Sequence, residues 1–199
     1  VDETGEELDG DRIMAVCAAH MKKEGKLRGG AFVATILSNM GLHAYADKNG
    51  MKIECSNVGD RYVLEMMLKK GYILGGEQSG HIILRKYATT GDGLLTAIML
   101  AEEMRDRKAS LSQLAAPVLL YPQTVRSIRV TDKSAAMNDP IIRAEFDAVN
   151  REIGGNGRAL LRASGTEPRV RVMIEGPDQR EMDRDVYALS KLIEHELRG

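Results

Sequence analysis

From Asp11 to about Lys23, Ile13, Val16, Cys17, His20 and Met21 recur at helical spacing behind an acidic start, which predicts an amphipathic helix. AFVATI at 31–36 reads as a short buried strand closed by the turn cluster SNMG. A helical pattern returns in RYVLEMMLKKG, with Gly71 suited to a C-cap. YILGG at 72–76 and HIIL at 81–84 read as strands on either side of a glycine-rich loop. A long helix is predicted from Leu94 to Lys108, and a short one after Ser110. Strands alternating with helices imply an α/β layer: a mixed, largely parallel sheet with helices on both faces.

The pattern changes at APVLLYPQ, residues 116–123, where two prolines interrupt the periodicity. Beyond it the expected order is strand, helix, strand, strand, helix. Asp139 and Pro140 supply a helix cap and first position, followed by Ile142, Phe146, Val149 and Ile153 on one face. GRALLRA and RVRVMIEG are strands joined by SGTEP, and Met182, Val186, Leu189, Ile193 and Leu197 line a last helix. This predicts a smaller α+β domain with an antiparallel sheet and helices on one side. The expected divisions are 1–8, 9–117, a linker or hinge at 118–124, and 125–199.

Lys and Arg total 28 against 29 Asp and Glu, so no basic excess favours nucleic acid. The longest apolar run, LLTAIMLA at 94–101, is too short to span a bilayer. Cys17 and Cys55 lie far apart without metal-ligand spacing, and both are expected as buried, reduced thiols in a cytoplasmic setting. His20, His43 and His195 read as structural or solvent-facing.

Two loops carry candidate chemistry. In RASGTEPRVR, Arg162 ends one strand, Ser164, Gly165 and Thr166 form a turn, and Arg169 and Arg171 share a face of the next strand, opposite Val170 and Val172. Backbone N–H groups beside small residues, with guanidinium forks, suit a phosphate. The plainer alternative is a hairpin with solvated arginines. In GGEQSGH, Glu77, Ser79 and His81 alternate, and an extended segment would send all three to one side. A carboxylate, a hydroxyl and an imidazole can read sugar hydroxyls, and the imidazole can exchange a proton near neutral pH. Spacing alone leaves an ordinary glycine-rich connection equally open.

Taken together, GGEQSGH at 75–81, TTGDGLLTA at 89–97, ATILSNMG at 34–41, VGDRYV at 58–63 and RASGTEPRVR at 162–171 resemble the α-D-phosphohexomutase superfamily, in order along the whole chain. The likeness is greatest to its branch acting on phosphorylated glucosamine. That family has four domains, and this sequence resembles the third and fourth, preceded by a remnant of the second at 1–8. The resemblance assigns Glu77 and Ser79 to sugar hydroxyls and makes His81 a candidate for binding or as a general acid/base. It assigns Arg162, Ser164, Gly165, Thr166 and Arg171 to phosphate. Arg169 stands where many relatives are aliphatic, and Ala163 where proline is frequent, so Arg169 stays outside the assignment.

The resemblance further implies a full-length parent that interconverts glucosamine 6-phosphate and glucosamine 1-phosphate through a bisphosphate intermediate, using a phosphoserine and Mg2+. It allows a homodimer of that parent. Neither the phosphoserine nor the Asp-rich magnesium loop has a counterpart here, so this chain is expected to bind no metal and to lack turnover alone. Its start at Val1 is expected as a cut beyond the catalytic centre. DGDR at 9–12 is assigned to helix capping through Asp9 and Asp11. A hinge near Tyr121 and Pro122 is expected to let the last domain close over the ligand. The alternatives are a non-enzymatic sugar-phosphate-binding module, or a relative acting on unaminated mannose or glucose phosphates.

Overall fold

The first periodic stretch forms α1 (Gly10–Lys23), capped by the Asp9 side chain, which accepts the Arg12 N–H at 3.0 Å. β1 (Ala31–Thr35) follows, then α2 (Met40–Lys48), β2 (Lys52–Ser56), α3 (Asp60–Lys70), β3 (Leu74–Gly76), β4 (Ile82–Leu84), α4 (Gly93–Arg107) and α5 (Leu111–Ala115). These belong to the first of two compact units, Val1–Leu120 and Tyr121–Gly199, in a computed structural model that describes residues 1–197.

The four strands of the first unit are ordered β2-β1-β3-β4; β1 pairs in parallel with β2 and β3, and β4 returns antiparallel to β3. β1 is buried at every position because both faces are covered. Phe32 and Ala34 pack with Met14, Leu42, Leu100 and Ala115 from α1, α2, α4 and α5, whereas Val33 packs with Val63 and Met67 of α3. Helices thus lie on both faces of a mixed sheet, as the alternation predicts.

The second unit orders β5 (Gln123–Arg129), α6 (Lys133–Asn138), α7 (Pro140–Ile153), β6 (Arg158–Ala163), β7 (Arg169–Glu175) and α8 (Gln179–Glu196). Its sheet runs β5-β7-β6, antiparallel throughout. Val170, Val172 and Ile174 face a core with Ile142, Phe146, Met182, Val186 and Leu189, so α7 and α8 cover that one face. Asp139 caps α7 by accepting the Ile141 and Ile142 N–H groups, and Pro140 opens the helix.

Several expectations change. SNMG does not end at a turn: Asn39 caps α2, accepting the Gly41 N–H at 2.8 Å. α2 carries a weak apolar stripe, and β2, an edge strand with mixed exposure, lacks clean alternation, so neither stands out in the pattern. α6 is a one-and-a-half-turn helix, too short for periodicity, that the Asp132 cap initiates. Cys55 is exposed, not buried, because it lies on that edge strand, whereas Cys17 is buried in α1. Burial, and then the charge of Glu103, pushes the Cys17 thiol up to about 12. His20 is buried as well, with Nδ1 2.6 Å from a Glu103 carboxylate oxygen. Among the described residues no helix is long and apolar enough to cross a membrane.

Candidate functional site

In the first unit, GGEQSGH is a tight hairpin between β3 and β4. The Glu77 N–H donates to the His81 carbonyl at 3.0 Å and the Gly80 N–H to the Glu77 carbonyl at 3.0 Å, with Gly80 at φ 94°. Glu77 and His81 therefore meet across the hairpin instead of along an extended segment, and Ser79 sits exposed at its apex. The two inner side chains reach the start of α3. The Gly59 N–H donates to Glu77 Oε1 at 2.9 Å, and His81 Nε2 lies 3.8 Å from Asp60 Oδ2. All of this lies beyond the carboxyl ends of parallel strands β2 and β3, where open α/β sheets place ligands.

The loop rests on the start of α1. The Gly10 N–H donates to the Gln78 carbonyl at 2.8 Å, and a Cβ added to Gly10 would lie 1.9 Å from the Glu77 carbonyl oxygen and 2.7 Å from the Gly80 nitrogen. Only glycine permits that approach. Asp11, fully buried one residue on, accepts the Asn39 N–H at 2.6 Å and so serves the start of α2, a correction to the expected capping of its own helix. Asp9 and Asp11 are thus committed to backbone donors. Among the described residues no group of three or more His, Cys, Asp and Glu side chains could hold a metal ion.

Gly91, in the TTGDG segment, fixes His81. Its N–H donates to His81 Nε2 at 3.1 Å, and a Cβ in its place would fall within 2.5–2.8 Å of three ring atoms. At 3.8 Å the Asp60 contact is longer than a hydrogen bond, and in the Gly91 contact Nε2 is the acceptor, which leaves Nδ1 as the ring nitrogen able to donate. His81 is then a hydrogen-bond donor at Nδ1, with its side chain 34% exposed. Sequence reasoning missed Gly59, Asp60 and Gly91; the only signal was their place in stretches quoted for resemblance.

In the second unit Arg162 and Arg171 stand directly opposite each other on β6 and β7. Cross-strand partners share a face, and like charges there oppose folding. Burial first, and then the charge of Arg171, lowers the Arg162 pKa. Ser164 is buried in the turn: its N–H donates to the Arg169 carbonyl at 2.9 Å and its hydroxyl accepts the Glu167 N–H at 3.3 Å. Gly165 and Thr166 are exposed at the tip. Lys133, which carries no sequence signal, donates to the Ser164 carbonyl at 2.8 Å and ties the turn to α6. Glu167 lies 3.5 Å from Arg171 and 3.9 Å from Arg169, loose contacts beside the 2.7–2.9 Å of a strong charge-assisted pair.

Comparison with known proteins follows the same division. Residues 9–120 match the family described as phosphoglucomutase/phosphomannomutase, alpha/beta/alpha domain III, and residues 127–187 match the phosphoglucomutase/phosphomannomutase C-terminal domain. The phosphoglucosamine mutase of Lachnospira eligens is 48% identical over 186 residues, which are 94% of this chain and 41% of that protein. That of Alkaliphilus oremlandii is 48% identical over 199 residues, 99% of this chain and 44% of that protein. The chain belongs to the phosphoglucomutase/phosphomannomutase family and spans less than half the length of these relatives, matching their carboxyl-terminal half.

Solved structures agree on the fold. An N-acetylglucosamine-phosphate mutase of the α-D-phosphohexomutase superfamily, in a substrate complex, superposes with a TM-score of 0.78 at 20% identity, covering 94% of this chain and 44% of that one. The N-acetylphosphoglucosamine mutase of Aspergillus fumigatus, in complex with GlcNAc-6P and magnesium, gives 0.76 at 20% identity, covering 92% of this chain and 46% of that one.

Proposed function

We infer that this chain is the sugar- and phosphate-binding half of a phosphoglucosamine mutase, whose parent interconverts glucosamine 6-phosphate and glucosamine 1-phosphate in the cytoplasm. The names of its relatives at 48% identity support the substrate. The observation that carries the reading is the Arg162–Arg171 pair facing itself beneath the SGT turn. A protein tolerates two partly buried guanidinium groups in register most readily where an anion neutralises them.

In this reading Arg162, Ser164, Gly165, Thr166 and Arg171 hold the phosphate that is not being transferred. Glu77 and Ser79 read the sugar hydroxyls, and His81 donates Nδ1–H to a sugar oxygen. Phosphoryl transfer depends chiefly on positioning and charge stabilisation, so a fixed distal phosphate sets the reacting one in place. In this reading the nucleophilic serine, and a Mg2+ ion that would supply charge stabilisation for the transferring group, would be held by the remainder of the parent. The purified 199-residue chain is expected to bind glucosamine 6-phosphate and to show no conversion in a coupled mutase assay. Turnover by the chain alone would contradict this division of labour.

A further inference from the structure

The register of the second sheet places a second arginine pair beside the first. Arg129 of β5 stands directly opposite Arg169 of β7, as Arg162 of β6 stands opposite Arg171. Arg169 and Arg171 are two residues apart, about 7 Å along the strand, and share its face. Opposite partners also share a face, so all four guanidinium stems rise from the side of the sheet away from Val170 and Val172, both fully buried. Ser127, opposite Arg171, adds a hydroxyl to the same side.

The charges on this face are not balanced. Among the described residues the carboxylate recorded in ion pairs with these four arginines is that of Glu167, which reaches Arg169 and Arg171 at 3.9 and 3.5 Å, while Glu175 on the same face pairs with Arg158. Arg129 is exposed, and neither its side chain nor that of Arg162 has a salt-bridge or hydrogen-bond partner among the described residues. By contrast Arg126, whose position in β5 faces the helix side, lies over the Tyr187 ring at 5.2 Å. Two like-charge pairs in adjacent register positions are unfavourable in the free protein, and a single phosphate next to the SGT turn neutralises only one of them.

We propose that Arg129 and Arg169 form a second anion subsite next to the phosphate turn, so that this unit takes a diphosphate group in preference to a single phosphate. The proposal rests on the reading of 162–171 as a phosphate loop. The first phosphate sits at Arg162, Arg171 and the turn; the second, linked to it, sits toward Arg129 and Arg169. The ligand class is therefore a phosphoanhydride-bearing small molecule, for which inorganic pyrophosphate is the minimal probe.

The test is calorimetric titration of the whole chain with pyrophosphate and with inorganic phosphate at one ionic strength, since exposed charges are screened by salt. Pyrophosphate is expected to bind at least about tenfold more tightly, the equivalent of about 1.4 kcal/mol. Arg169→Leu and Arg129→Leu are each expected to remove most of that preference while leaving phosphate affinity within about twofold. Arg180→Leu, on α8, removes the same charge elsewhere and is expected to leave the preference intact.

A preference absent from the unaltered chain, or one that survives both substitutions or falls equally with Arg180→Leu, overturns the subsite. The phosphate loop fails separately, if Arg162→Ala leaves phosphate affinity unchanged. Melting curves of each variant without ligand guard against misfolding: removing one member of a like-charge pair is expected to hold or raise the melting temperature. Pyrophosphate is in turn expected to raise that of the unaltered chain more than phosphate does.

Discussion

The two loops reach their geometry by opposite means. The hairpin at 75–81 is held by neutral backbone groups: Gly10 beneath it, the Gly59 N–H on Glu77, and the Gly91 N–H on His81. The turn at 163–168 sits among arginines that repel one another and is fixed by short local bonds and by Lys133. A site that reads hydroxyls by direction needs its acceptors and donors immobilised before ligand arrives, because a misdirected neutral hydrogen bond contributes little. A site that reads a dianion can leave its charges uncompensated until the anion supplies the missing term.

Substitution separates the two designs. The largest effect is expected from Gly10→Ala, whose new methyl group would meet the Glu77 carbonyl oxygen at 1.9 Å. Because the neighbour is backbone and cannot swing aside, the first unit should lose about 3 kcal/mol of stability, read from its denaturant midpoint. The second unit should unfold as before.

Arg162→Ala comes next and should act in two directions. Affinity for glucosamine 6-phosphate is expected to fall by about 2 kcal/mol, a lost charge-assisted pair, while the ligand-free chain melts no lower than before because the facing repulsion is gone. A variant that loses stability and keeps affinity would show that the arginine supports the fold and not the ligand.

Glu77→Ala is expected to be smaller, costing about 1 kcal/mol as the Gly59 N–H loses its acceptor. Phosphate affinity is expected to be unchanged, since the substitution touches only the first unit.

Much of this was legible in the chain itself, for identifiable reasons. β1 announces itself as an unbroken buried run and α7 and α8 because each buries a regular apolar face, and Asp139 before Pro140 is a cap that any reading of the sequence finds. The pairing of Arg162 with residues beyond the SGT turn follows from hairpin geometry, although the one-to-one register with Arg171 and the antiparallel pair Arg129–Arg169 needed the sheet order. What stayed hidden are contacts made by backbone atoms between distant segments. Nothing in TTGDG indicates that Gly91 packs on an imidazole, and nothing in DGDR that Gly10 supports a hairpin 67 residues later at Glu77. Lys133 was equally silent, since a carbonyl partner leaves no mark in sequence.

The central claim is that the 162–171 turn of the second unit is a phosphate site, and a titration of the isotopically labelled chain followed by amide resonances tests it most directly. Inorganic phosphate is expected to shift amides in 162–171, with Arg162→Ala abolishing those shifts, and to leave the amides of 77–81 unmoved. Amides of 162–171 that stay still, or that shift equally in the Arg162→Ala variant, would contradict the account.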